Sequence, residues 1–452
     1  MRTEARRAPI QVTLPIEANV RCGRLTRLSQ LTGARKHEKS ISNETAEVTQ
    51  DGDEMLLDGI KVVSFCHFLQ GPAAVQYLAD MGADAVKVEP IGGAHERHWS
   101  GANVFVEGVS GFFLCANRNN RSIAIDLKSP EGNEVARRLI AQADIVVENF
   151  RPGVFDKLGF TQAVLDDLNP SLIFASASGF GSSGPMAQKP GQDILVQARS
   201  GLMSVTGNPE NAPTPVGFAV VDQHGAALLA MGILGALVRR LKTGKGTRVE
   251  GSLINAGIDL QGEALLNYFA GGFDRSVLKR EVNLATWFHQ APYGVYPARD
   301  GHVVISLCET ETLAQALESD DIRAVASLDS YTDRDEYARR INAATAKFSM
   351  AEIAERLDSH SIWWAPVKYY DELRSDPQLI HAQVFGKVDV RGRVIDIINH
   401  PNRYDGQVPG LRVLALELGE HTREILAELG YSESDVENME RSSAVLAAAE
   451  RV

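Results

Sequence analysis

The stretch 58-DGIKVVSFCHFLQGPAAVQYLADMGADAVKVE-89 decides the fold of this chain. Ile60–Phe65 is a short apolar run with paired valines, the length and composition of a buried strand. Gly71–Met81 carries its apolar residues at helical spacing, and Ala85–Glu89 is a second strand-like run. Strand, helix and strand in about thirty residues form the crossover unit that makes two strands parallel.

The alternation continues outward. Ser122–Leu127 reads as a strand, Ser129 caps a helix with Pro130 in its first turn that runs to about Gln142, and Asp144–Glu148 is a strand. Thr161 caps Gln162–Leu168, and Leu172–Ser176 is the next strand. Helices are expected over Asp193–Met203 and Val220–Leu241, the second stopped by Arg239, Arg240, Lys242 and Gly244, and a strand over Thr247–Leu253. The pattern predicts an α/β fold around a parallel sheet covered on both faces, with ligands bound beyond the carboxyl ends of the strands.

The expected organisation is an N-terminal extension over 1–55, a large α/β domain over 56–285, a small α+β domain over 286–365 and a C-terminal segment over 366–452. Up to Lys36 the extension holds seven arginines and two acids, Glu4 and Glu17. A disordered extension is the preferred reading and an organelle-targeting peptide the other. In the small domain, Gly294–Pro297 and His302–Leu307 flank a hairpin turn, and Ile362–Val367 is strand-like. In the tail, a helix is expected over about His421–Leu429.

The chain has 452 residues and a net charge of −12, which argues against nucleic acid as a partner. Its four cysteines form no C-x-x-C pair, and its 11 histidines lack ligand spacing, so no zinc site or disulfide framework is expected. A reducing, cytoplasmic setting fits best. Ala226–Val238 is apolar but shorter than the ~20 residues of a membrane span, and reads as a buried helix. Gly179–Gly184 matches G-x-G-x-x-G, yet Pro185 and Pro190 replace the helix that a dinucleotide site requires, so a glycine-rich loop is the reading.

Three places carry chemical interest. His67 and Gln70 follow the first strand, where a doubly wound sheet faces its ligand; a His satisfied by backbone is the alternative. Asn149-Phe150-Arg151-Pro152-Gly153 follows another strand, and Arg151 can make a two-pronged contact with phosphate. A solvated loop is the alternative there. Asp222 lies at the start of an apolar helix, where a carboxylate is costly unless it is paired or used.

Several stretches together resemble the class III CoA-transferases, the group of formyl-CoA:oxalate and carnitine CoA-transferases that also contains α-methylacyl-CoA racemases. They include 82-GADAVKVE-89, 117-NRNNRSIAIDLKSPEG-132, 147-VENFRPG-153, 190-PGQD-193, 242-KTGKG-246 and 418-LGEHTREILAELG-430, and the resemblance spans about 56 to 430. It implies a Rossmann-like large domain, a smaller domain, a tail returning to the large domain and a homodimer of interlocked rings. It makes Asp222 the covalent nucleophile, 29 residues after Asp193 of the PGQD motif. Asn149, Phe150, Arg151, Lys157, Lys128, Leu69 and Gln70 fall where the family holds CoA, and His67 matches a histidine beside the acyl pocket.

The implied substrates are an acyl-CoA and a carboxylic acid, with no permanently bound cofactor and no membrane or nucleic-acid partner. Where the racemases carry a histidine base this chain has Gln192, which favours transfer over racemisation. A racemase and a CoA-binding protein without catalysis stand as the alternatives. The run of glycines over the formyl-CoA enzyme's active site has no match, so oxalate is not an inferred substrate.

Overall fold

The computed structural model describes residues 55–207 and 213–448. The expected extension therefore lies, except for Met55, outside the described residues. A seven-stranded sheet organises the rest. Its strands are β1 (Lys61–Phe65), β2 (Asp84–Glu89), β3 (Asn120–Ile125), β4 (Ile145–Glu148), β5 (Ile173–Ser178), β6 (Thr247–Ser252) and, from the tail, the two-residue β12 (Val445–Leu446). The spatial order is β12-β3-β2-β1-β4-β5-β6, with all neighbours parallel except β12 on β3. Val63 of β1 pairs with Val86 on one side and Val146 on the other. Chain order reverses at β1/β4, and the crevice for a ligand opens where such a reversal parts the connecting loops.

Alternation along the strands supplies two cores. Val62, Ile145 and Ile173 face α1 (Gln70–Asp80) and the long α4 (Val220–Thr243), where Leu229 and Ile233 are buried. Val63, Val146 and Phe174 face the opposite way, against Val135 and Leu139 of α2 (Pro130–Gln142) and Ile425 and Leu426 of the tail. The N-cap of α2 is Ser129, whose hydroxyl accepts from Gly132 N–H at 3.0 Å. α4 is long and apolar enough to cross a membrane, but one side of it is built into this core. Thr161 sits at the start of Gln162–Leu168 without making the expected side-chain cap.

The helix expected over Asp193–Met203 is interrupted. α3 spans Asp193–Arg199, and a separate turn, Leu202–Val205, begins after Gly201 adopts φ +86°. β7 (Gly294–Ala298), β8 (Gly301–Ile305) and β9 (Trp364–Pro366) form an antiparallel sheet with its own core of Tyr296, Val303, Ile305, Ile341 and Leu357. β10 (Phe385–Val390) and β11 (Arg393–Ile398) form a hairpin that the reading of the tail did not anticipate.

Candidate active site

A cavity of about 900 Å³ opens at the carboxyl end of the sheet, at the β1/β4 reversal. Three loops form its walls: His67–Gln70 after β1, Asn149–Pro152 after β4, and the segment from Ala187 into α3. The start of α4 closes it with Phe218, Ala219 and Asp222. The glycine-rich loop returns to the cavity because Gly179 and Gly191 meet backbone to backbone; a Cβ on Gly179 would lie 2.4 Å from Gly191 Cα. No side chain fits at that crossing, and Gln192 and Asp193 follow it directly.

The β1–α1 loop is fixed by three side chains. The Asn149 carboxamide oxygen accepts from His67 N–H at 2.9 Å, and its Nδ2 donates to His67 C=O at 2.7 Å. Lys87 Nζ donates to Cys66 C=O and to Glu96 Oε1, both at 2.8 Å. The other Glu96 oxygen accepts from Phe68 N–H at 3.2 Å. The Lys87 and Glu96 side chains are 2% and 0% exposed, so each neutralises a charge that could not otherwise stay buried. This bracing holds Phe68 at φ +61°, an unfavourable backbone for an aromatic residue, with its ring exposed at the cavity wall.

Asp222 sits in the first turn of α4, partly buried, and its carboxylate accepts no hydrogen bond from the described residues. Asp193 supports that turn from α3. One Asp193 oxygen accepts from Val221 N–H at 2.7 Å and Asp222 N–H at 3.1 Å, while the other is held by Gln197 Nε2. A helix start with unpaired N–H groups is well served by an anion. Burial, and then the nearby Asp193 charge, push the Asp222 carboxyl up to about 7. Burial holds the His67 imidazole below its ordinary range, as a neutral ring. Burial also pushes Glu148, at the end of β4, up to about 7, although its carboxylate accepts from Phe150 N–H at 2.8 Å.

This arrangement presents a partly dehydrated carboxylate without a hydrogen-bond donor among the described residues, in a cavity of about 900 Å³. Residues 57–422 match the family model described as CoA-transferase family III. The chain belongs to CoA-transferase family III. It is 32% identical to a succinate–glutarate CoA-transferase of Agrobacterium fabrum, over 82% of this chain and 95% of that one. It is 31% identical to a succinyl-CoA–D-citramalate CoA-transferase of Chloroflexus aurantiacus, over 84% of this chain and 96% of that one. Among solved structures, a CaiB/BaiF family protein from Brucella suis superimposes with a TM-score of 0.71 at 30% identity, covering 83% of this chain and all of that one. Like its family, this CoA-transferase is an enzyme whose substrates are CoA thioesters.

The fold gathers most residues singled out in the sequence of this CoA-transferase. His67, Leu69, Gln70, Asn149, Phe150, Arg151, Gln192, Asp193 and Asp222 all line the one cavity. Lys128 and Lys157 do not; both are exposed, after β3 and on the short helix Val154–Lys157. Sequence reasoning missed Lys87, Glu96, Gln197, His95 and Trp99. The first had a signal: Lys87 and Glu89 alternate with valines in a central strand, where a charge must find a partner. Glu89 finds Arg97 at 2.7 Å. Among the described residues no group of three or more His, Cys, Asp or Glu could hold a metal ion, and the three cysteines are free thiols.

Proposed function

We propose that this enzyme moves CoA between an acyl-CoA and a carboxylic acid through covalent intermediates on Asp222. The observation that carries the reading is the uncommitted Asp222 carboxylate inside the large cavity at the sheet's carboxyl end. One Asp222 oxygen attacks the thioester carbonyl carbon, the C–S bond breaks, and a mixed anhydride and CoA thiolate result. The thiolate then attacks the aspartyl carbonyl, giving an Asp222–CoA thioester and releasing the first acid as its carboxylate. An incoming carboxylate runs the two steps in reverse and leaves as the new acyl-CoA. Holding thioester and carboxylate together contributes roughly 7–11 kcal/mol to such a step. Arg151, exposed at the cavity mouth, suits the phosphates of CoA, and the neutral His67 ring suits the acyl end.

Racemisation is disfavoured because Gln192 cannot take a proton and Asp193 is committed to the start of α4. The relatives' names put short dicarboxylic acids and their CoA thioesters first in a substrate panel. Exposed apolar side chains on α4 and beyond, Met231, Leu241, Leu266, Phe269, Trp363 and Tyr370, support a homodimer of the interlocked type. The scattered cysteines support a cytoplasmic site of action. The test is mass spectrometry of the Asp222 peptide after incubation with acyl-CoA and hydroxylamine. A hydroxamate or CoA adduct on Asp222 is expected; full transferase activity in Asp222→Ala would end the reading.

A further inference from the structure

α1 begins at the cavity with an unusual residue in its first position. Gln70 is 5% exposed, yet no described residue hydrogen-bonds to either end of its carboxamide. Leaving a buried amide without partners is costly, so it calls for a partner that arrives later. Gln70 lines the cavity, and its Nε2 packs against α4 at Gly225, one turn past Asp222. A Cβ at position 225 would lie 2.7 Å from that nitrogen, so the glycine is what makes room for the amide. Positions three apart on a helix have Cβ sites about 5–6 Å from each other, which sets the amide beside the nucleophile. A half-turn about the Cγ–Cδ bond exchanges Nε2 and Oε1 without breaking a protein hydrogen bond.

Around Gln70 the same helix start is open. Leu69 offers no side-chain cap, Pro72 has no N–H, and the backbone N–H groups of Gln70 and Gly71 have no acceptor among the described residues. The first intrahelical bond runs from Ala73 N–H to Leu69 C=O at 2.9 Å. The donor-capable Gln70 amide thus lies against α4 one turn past Asp222, in the cavity where negative charge would develop on an oxygen.

We propose that the Gln70 side-chain amide receives the thioester carbonyl oxygen during attack by Asp222, and so is a catalytic residue. This rests on the transferase reading above. As an Asp222 oxygen bonds to the thioester carbon, the carbonyl π pair moves onto oxygen. Gln70 N–H donates a hydrogen bond to that oxyanion without giving up its proton. The pair returns when the C–S bond breaks and the thiolate leaves.

The test compares full-length wild type with Gln70→Leu, which fills the same space and carries no donor. Two quantities are read: the single-turnover rate of Asp222 acylation by succinyl-CoA, trapped with hydroxylamine, and the affinity for a CoA thioether that lacks the carbonyl. Gln70→Leu should acylate at least 100-fold more slowly and bind the thioether within threefold of wild type, with an unchanged or raised melting temperature. A filler role would move stability and leave the rate alone. If Gln70→Leu does not fold, Gly225→Ala, whose Cβ displaces the amide, should give the same split between rate and affinity. A variant acylating within threefold of an active wild type overturns this inference alone. A wild type that forms no Asp222 adduct with any thioester overturns the transferase reading as well.

Discussion

In the proposed mechanism, the rate at which Asp222 takes up an acyl group should follow its own ionisation. The carboxyl has been raised from its ordinary 3.8 to about 7, first by burial and then by Asp193. Only the carboxylate attacks a thioester. About one molecule in ten carries the anion at pH 6 and about nine in ten at pH 8. The acylation rate should therefore rise close to tenfold per pH unit below about 6.5 and level off above about 8. Asp193→Asn separates the two causes. Asparagine keeps a side-chain oxygen for the Val221 and Asp222 N–H groups and removes the neighbouring charge. The burial remains, so the midpoint should move down but stay above the ordinary carboxylate range. The assay is CoA thiol release in a single turnover from pH 5.5 to 8.5, with CoA binding followed by calorimetry over the same range to remove any effect on affinity. A flat wild-type profile would refute the reasoning, as would a midpoint that moves up in Asp193→Asn.

Three further outcomes are expected. A carboxylate whose folded value is raised costs nothing below the unfolded value near 3.8, and its full cost is reached above about 7. Asp222→Asn should therefore match wild type in urea denaturation at pH 4 and exceed it by up to roughly 4 kcal/mol at pH 8.5; an advantage independent of pH would contradict the raised carboxyl. Glu96→Ala strands Lys87 in the interior and should lose about 3–5 kcal/mol in the same measurement, whereas breaking an exposed pair such as Arg323–Glu311 should change stability far less. Phe68→Gly relieves a left-handed backbone and should gain about 1 kcal/mol in stability while raising KM for acyl-CoA through the lost cavity wall; a loss of stability would show that the ring, not the backbone, dominates.

Much of the frame could be read from local pattern. Parallel strands buried on both faces are short runs dominated by apolar residues, and β1 and β4 stand out through their paired valines, while β2 and β5 carry polar residues among the apolar ones. Asp222 was visible because a carboxylate in an apolar helix has few explanations, and Arg151 because it follows a strand. Other features had weak signals. The β10–β11 turn is Arg391-Gly392, both at positive φ, without the Asn-Gly or Asp-Gly pair that announces a hairpin. β12 has two residues and becomes a strand only by pairing with β3.

The site itself was decided in three dimensions. Lys87 and Glu96 are nine residues apart and meet beneath a loop that neither belongs to. Asp193 and Asp222 are 29 residues apart and meet because α4 begins against the first turn of α3. The unpaired Gln70 amide depends on the absence of a Cβ at Gly225, on another helix. Sequence records which groups a segment carries and the period at which they recur. Which charge is left without water, and which donor without an acceptor, is a property of neighbours brought together from distant parts of the chain.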